Sequence, residues 1–185
     1  VKYKHMKPIY LFLFICHLFA LNGMAQVALN QKIDAIYQAQ NSSTHPGLSL
    51  GIWKDGNVLF AQNYGLANLE HQVPFSSQTL SDMGSVAKQL TSYGILLLVE
   101  RGELSLDDNV RDHLDYVPDF GSVIRVRHLM HHTSGLREVY STVAIRGGRS
   151  GDAIFQEDVR RLVAQQVALN FEPGSQFSYC NTAYA

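Results

Sequence analysis

The sequence has 185 residues, of which 46% are hydrophobic, so it is long enough to bury the core of one ordinary domain. Its formal net charge is −1, but the first 25 residues contain three lysines and no acidic residue, so the remainder has 12 basic and 16 acidic side chains, a net charge of −4. This acidic balance argues against nucleic acid as a partner.

The N-terminal segment has the pattern of an export signal. Its lysines precede an apolar run from Ile9 to Leu21, which is short for a helix that spans a bilayer, and small residues follow at Gly23 and Ala25. We therefore predict a signal peptide over residues 1–25, cleaved before Gln26; a membrane anchor or a core helix is the alternative interpretation. The mature protein would be exported to the periplasm or the extracellular space, without stable membrane insertion.

The next elements are a helix and a β-hairpin. Apolar residues recur with helical spacing from Val27 to Gln40, and a polar, Pro- and Gly-containing loop follows over residues 41–47. Two extended runs, Leu48–Lys54 and Asn57–Tyr64, are separated by Asp55-Gly56, a dipeptide that favours a tight hairpin turn.

Helical patterns dominate the rest of the chain. We predict a long helix from Ser85 to Arg101, ended by Gly102, and a short helix that Ser105 and Asp108 would cap. Further helices are predicted at Val126–His131 and Glu157–Val167. Strands followed by helices indicate an α+β protein.

Two strands alone make a poor sheet, because three or more are needed to cover a core. We expect the apolar hairpin face to be left uncovered within this chain; its residues are Leu50, Ile52, Phe60 and Tyr64. The further strands would then lie beyond Ala185, in a longer protein of which this chain is the N-terminal part.

Ser85 and Lys88 are the first candidates for chemistry. Residues three apart on a helix share one face, about 5–6 Å apart at Cβ, so the lysine amine could accept the serine proton. The Ser-x-x-Lys pattern is common by chance, and a capping serine beside a solvated lysine is the alternative.

Tyr179 and Asn181 form the second candidate group. A phenol near a cation can relay protons, and an amide can hold a substrate carbonyl; a packed tyrosine and a turn asparagine are the alternative.

His128, His131 and His132 have the spacing of metal ligands on one helix face, but no fourth ligand is evident, so we predict no metal and no cofactor.

Four segments, in order, resemble the serine β-lactamase and penicillin-binding protein family, which includes class C β-lactamases and D-alanyl-D-alanine carboxypeptidases. They are Met83–Thr91, Gly102–Asp108, His128–Leu136 and Phe171–Tyr184. The resemblance implies a β-lactamase/transpeptidase-like fold, with an antiparallel sheet flanked by helices and a helical domain, here truncated before the C-terminal strands. Residues 26–78 would belong to the α/β part and residues 79–185 to the helical part.

The resemblance also implies roles for the candidate residues. Ser85 would be the catalytic nucleophile and form an acyl-enzyme, Lys88 and Tyr179 would share the general acid and base work, and Asn181 would bind substrate. The substrate would be a β-lactam, a D-amino-acid peptide or an ester. A catalytically silent penicillin- or peptidoglycan-binding protein is the alternative, and the oligomeric state stays open.

The chain departs from the family pattern at several positions. The family's third motif, a Lys-Thr-Gly or His-x-Gly on a late strand, would lie beyond Ala185. Ser81 stands where an aromatic residue is frequent, Cys180 where serine is frequent, and Arg125 where threonine usually caps a helix. Cys180 is also the sole cysteine after residue 25, so no internal disulfide is predicted for the mature chain.

Overall fold

The computed structural model describes Met24, residues 27–149 and residues 151–185. The predicted signal peptide therefore lies outside the described residues, except for Met24. The described residues up to Asp82 form one compact unit, and Met83–Ala185 form a second one.

The first unit begins with helix α1, residues 27–37, which continues into a 3-10 turn at Gln38–Gln40. Strands β1 (Leu48–Lys54) and β2 (Asn57–Tyr64) then form an antiparallel pair in which Leu48 faces Tyr64 and Ile52 faces Phe60. Both turn residues have positive φ, 50° at Asp55 and 76° at Gly56, as a tight hairpin turn requires. The predicted hairpin is confirmed, with the same strand bounds.

The expectation of an uncovered hairpin face is wrong. Phe60 and Tyr64 are buried together with Ile33 of α1, while Leu50 and Ile52 are partly buried against this cluster. The predicted helical stripe thus packs on the hairpin and covers it, which a two-stranded sheet requires for stability.

A second antiparallel pair, β3 (Leu66–Asn68) and β4 (Val73–Pro74), follows the hairpin. This pair was not predicted from the sequence. Such short strands carry too few alternating residues to give a clear period-two pattern.

The second unit opens with a 3-10 turn, Gly84–Val86, that runs into helix α2, Ala87–Glu100. The short helix predicted at Ser105 is wrong. The Asp108 carboxylate accepts a hydrogen bond from the Ser105 N–H (2.9 Å) and closes a turn, and a 3-10 helix follows at Val110–Asp112.

Three short helices complete the second unit: α3 (Val126–Met130), α4 (Val139–Ile145) and α5 (Gln156–Ala164). Helices α3 and α5 were predicted, whereas α4 was not. Their apolar residues form one core with Val110, Ile124, Leu136 and Cys180. No helix among the described residues is long and apolar enough to span a membrane.

Candidate active site

Ser85 and Lys88 lie one turn apart where α2 begins. Gly84 has a φ of 51°, in the left-handed region that favours glycine, and so directs the chain into the 3-10 turn that carries Ser85. The Lys88 Nζ donates a hydrogen bond to the Ser85 Oγ (3.2 Å). Ser85 is exposed and Lys88 is half-buried, so a substrate can approach the hydroxyl while the amine stays held beside it.

Tyr179 reaches the same oxygen from the other end of the unit. Its hydroxyl donates to the Ser85 Oγ at 2.6 Å. Deprotonation reverses this contact, so that the Ser85 hydroxyl donates to the phenolate oxygen; this hydrogen bond, together with the hydrogen bond and positive charge of Lys88, holds the pKa of the Tyr179 phenol below its ordinary value. The phenol therefore gives up its proton more readily than a tyrosine in water.

Asn181 completes the group. Its Oδ1 accepts a hydrogen bond from the Lys88 Nζ at 2.9 Å, so the ammonium bridges Asn181 and Ser85. Cys180 lies between the two functional side chains and is 2% exposed, with its Sγ 3.5 Å from the Leu136 carbonyl. On either side of this buried residue, Tyr179 contacts Ser85 and Asn181 contacts Lys88, both at the start of α2.

The segment that carries Tyr179 is fastened by backbone hydrogen bonds to residues 132–135. The Ser178 N–H donates to the His132 carbonyl (2.9 Å), and the Gly174 N–H donates to the Thr133 carbonyl (2.8 Å). At Gly135, with a φ of 75°, a Cβ would lie 2.2 Å from the Phe171 carbonyl oxygen, so only glycine fits this approach. The structure thereby brings all four predicted site residues together.

The profile of the family described as Beta-lactamase matches residues 30–185. This chain belongs to the β-lactamase family. The resemblance read from the four sequence segments is therefore confirmed, and the α+β fold is that of a β-lactamase-family protein.

Three related proteins show the range of the family around this chain. A D-aminopeptidase from Gluconobacter oxydans (strain 621H) is 34% identical over 138 residues, which are 74% of this chain and 25% of that protein. Esterase EstB from Burkholderia gladioli is 32% identical over 170 residues, 82% of this chain and 42% of that protein. The solved structure of an octameric penicillin-binding protein homologue from Pyrococcus abyssi has a TM-score of 0.68 and 31% identity, covering 85% of this chain and 36% of that chain.

The chain thus spans between a quarter and about two fifths of the lengths of the curated relatives described here. It contains both groups of candidate site residues, Ser85 with Lys88 and Tyr179 with Asn181. Their catalytic roles stay predictions.

The histidines considered as metal ligands make other contacts in this β-lactamase-family site. The His132 Nδ1 accepts a hydrogen bond from the Cys180 N–H, and the His128 Nδ1 accepts one from the Arg125 N–H, both at 3.2 Å. His128 thereby supplies a capping contact at the start of α3, where Arg125 stands in place of the usual threonine. The described residues contain no group of three or more His, Cys, Asp or Glu side chains arranged to hold a metal.

A cavity of about 280 Å³ lies beside Lys88 and Asn181. Gly84, Val139, Tyr140 and Phe155 line it, among other residues of the second unit. Its wall combines apolar side chains with the lysine and the amide, which suits an uncharged acyl group with a carbonyl oxygen.

Two contacts of this site were not predicted from the sequence, that of the His132 ring with Tyr179 and that of Glu138 with Asn181. The Glu138 Oε1 accepts a hydrogen bond from the Asn181 Nδ2 at 2.8 Å. His132 lies in the His128–Leu136 segment that resembles the family, and Glu138 lies two residues after it; this was the available signal.

Proposed function

We propose that the protein is a serine hydrolase that forms an acyl-serine intermediate on Ser85 with amide or ester substrates. The observation that supports this most directly is that the Ser85 Oγ accepts hydrogen bonds from both the Lys88 Nζ (3.2 Å) and the Tyr179 hydroxyl (2.6 Å). A serine is a weak nucleophile unless a neighbouring base takes its proton, and these two groups are the candidates for that base.

The proposed reaction has two steps. The Ser85 Oγ attacks the substrate carbonyl carbon while its proton passes to the deprotonated member of the Lys88–Tyr179 pair, either the Tyr179 phenolate or the neutral Lys88 amine, and the Ser85 backbone N–H faces the developing oxyanion. When the tetrahedral intermediate collapses, the bond to the leaving amine or alcohol breaks and this group takes the proton. Water then attacks the acyl-serine and releases the acid, regenerating the Ser85 hydroxyl.

Asn181 and the neighbouring cavity support acyl-group binding. The Asn181 amide lies beside the cavity, where it can hydrogen-bond a substrate carbonyl while its Oδ1 retains Lys88. The named relatives are a D-aminopeptidase and an esterase, so we propose D-amino-acid amides, β-lactams and simple esters as the substrate classes to test.

The leading alternative is a binding protein on the same fold that acylates without turnover. Ser85, Lys88, Tyr179 and Asn181 are all present and mutually connected, which favours the enzyme. We also propose that the protein is exported, because its N-terminal segment has the pattern of a cleavable signal peptide.

The test is acylation of the full-length protein by a fluorescent penicillin, a nitrophenyl ester and a D-alanine anilide, followed by intact mass and peptide mapping. We expect an adduct on Ser85 and turnover of at least one substrate. Ser85→Ala should abolish the adduct and lower turnover by roughly 10³-fold or more. Ser81→Ala, an exposed serine four residues earlier, is the matched control and should behave as wild type.

Two outcomes would change the proposal. An adduct on Ser85 without release of product would support the silent binding protein. An adduct on another residue, or turnover that survives Ser85→Ala, would contradict the assignment of Ser85 as nucleophile.

A further inference from the structure

Glu138 connects helix α4 to the proposed catalytic group. It is the residue before α4, and its Oε2 accepts a hydrogen bond from the Ser141 N–H at 2.8 Å, which caps the helix. Its Oε1 accepts a hydrogen bond from the Asn181 Nδ2, also at 2.8 Å. One half-buried carboxylate therefore holds both the start of a helix and a candidate substrate-binding amide.

The two contacts of Asn181 fix the orientation of its amide group. A carboxylate can only accept hydrogen bonds and an ammonium can only donate them, so the NH₂ must face Glu138 and the carbonyl oxygen must face Lys88. The reverse orientation would place two donors together at Lys88 and two acceptors together at Glu138. The amide thus has one stable orientation, with its Oδ1 2.9 Å from the Lys88 Nζ.

We propose that Glu138 is a positioning residue for acylation at Ser85, acting through Asn181 and Lys88. Glu138 orients the amide of Asn181, Asn181 holds the Lys88 ammonium, and Lys88 is thereby kept 3.2 Å from the Ser85 Oγ. This inference rests on the proposed function, because it assigns Glu138 a part in the same reaction. Displacing a catalytic group by about 1 Å can cost about 100-fold in rate, so such positioning has a measurable effect.

The negative charge of Glu138 also reaches the proton-transfer pair. It raises the pKa of the Tyr179 phenol, opposing the lowering by Ser85 and Lys88, and it raises the pKa of the buried Cys180 thiol. Lys88 is the cation of this group, one hydrogen bond beyond Asn181. Removing the carboxylate should therefore leave a phenol that loses its proton at lower pH.

The first test compares Glu138→Gln and Glu138→Ala with Glu103→Gln in the full-length protein, with the acylation rate at Ser85 as the readout. Glutamine has one acceptor oxygen, so it cannot serve both the Asn181 amide and the Ser141 N–H. We expect acylation to fall by roughly 10- to 100-fold in both Glu138 variants. We also expect the acidic limb of the pH–rate profile to move to lower pH in both.

Glu103→Gln removes the same charge and should change neither property. Glu103 is exposed and follows the far end of the 14-residue α2, about 20 Å along the helix from its start.

The second test separates positioning from a purely structural role as the cap of α4. If Glu138 acts through Asn181, then Glu138→Ala combined with Asn181→Ala should acylate as slowly as Asn181→Ala alone. Losses that multiply, or an unchanged pH profile, would assign Glu138 to the cap only and overturn the proposal. Thermal unfolding of each variant verifies that it is folded when assayed.

The two proposals fail in different ways. Absence of a Ser85 adduct in the wild-type protein would refute the proposed function and this inference with it. Normal wild-type acylation together with wild-type rates in both Glu138 variants would refute the positioning role alone.

Discussion

His132 supports Tyr179 through three separate contacts. Its backbone carbonyl accepts a hydrogen bond from the Ser178 N–H, its Nδ1 accepts one from the Cys180 N–H, and its ring lies 4.5 Å from the Tyr179 ring between centroids. Its φ of 57° lies in the left-handed region, which costs a non-glycine residue free energy and persists where surrounding contacts enforce it. These contacts hold the His132 side chain beside the Tyr179 ring.

The protonation state of His132 matters because its Nδ1 must be unprotonated to accept the Cys180 N–H. Burial, together with the positive charge of Lys88, lowers the pKa of this imidazole below its ordinary value. A depressed pKa means that the neutral form stabilises the fold. This stabilisation is complete above the pKa of the imidazole in the unfolded chain, about 6.5. It is lost as the pH falls through the lower pKa of the folded state.

We predict that His132→Ala lowers acylation of Ser85 by roughly 10-fold or more, because Tyr179 loses its lateral support. In His132→Gln the amide oxygen can accept the Cys180 N–H without titrating, so part of the rate should return and the loss of stability below pH 6.5 should become smaller. The measurements are acylation rates and thermal unfolding midpoints between about pH 4.5 and 7.5. His131→Gln, at the exposed neighbouring histidine, is the control and should keep the wild-type pH dependence.

Among the elements, the hairpin and α1 depend on each other. The buried Tyr64 of β2 donates a hydrogen bond to the Asp34 Oδ1 of α1 at 2.7 Å. Burial first, then this hydrogen bond and the charge of Asp34, raise the pKa of Tyr64 to about 12. The protonated phenol is thus a link between the helix and the sheet.

Loss of the Tyr64 proton should destabilise the first unit at alkaline pH. A phenol whose pKa is raised by folding stabilises the folded state fully below its pKa in the unfolded chain, about 10. This stabilisation is lost as the pH rises through its pKa in the folded state, about 12. Two pH units correspond to about 2–3 kcal/mol of unfolding free energy. Urea unfolding followed by fluorescence of Trp53, the single tryptophan of the sequence, would measure this loss between pH 9 and 12.

Tyr64→Phe should reduce that alkaline loss of stability, because the buried group no longer titrates. Tyr140→Phe, at an exposed tyrosine of the second unit, is the matched control and should leave the Trp53 transition unchanged at every pH. Equal alkaline destabilisation in wild type and Tyr64→Phe would show that another group carries the effect.

The elements predicted from sequence are those whose signals are local. Asp55-Gly56 specified the hairpin turn, and the apolar spacing of residues 85–101 together with Gly102 specified α2. The short helix expected at Ser105 failed because the same polar residues that cap helices also close turns.

The residues of the candidate site also fall into those with a local sequence signal and those without one. Ser85 and Lys88 were found because residues three apart on a helix must share a face. Glu138 was missed because its contact with Asn181 joins residues 43 positions apart, and no local spacing encodes that. The resemblance to the family indicated the candidate catalytic residues, but not Glu138, which hydrogen-bonds Asn181.

At the scale of the whole molecule, the charged residues and the cysteines of this sequence are unevenly distributed. All the acidic residues lie after residue 25, and the sole cysteine after that point, Cys180, is buried. Burial raises the pKa of its thiol, so the reactive thiolate is disfavoured. Stability in the part of the chain described by the structure therefore rests on its two apolar cores and their hydrogen bonds.

The last prediction concerns processing of the N-terminal segment. Signal peptidases require small residues one and three positions before the cut, and Ala25 and Gly23 meet this requirement. Expressed with this segment in a bacterial host, the protein should be exported, and N-terminal sequencing of the product should begin at Gln26. Ala25→Phe should block processing because a bulky side chain replaces the required small one. Ala28→Phe, three residues beyond Ala25, should be processed normally. An unprocessed wild-type protein that stays in the membrane fraction would favour an anchor, whereas cleavage of Ala25→Phe at Gln26 would contradict the predicted site.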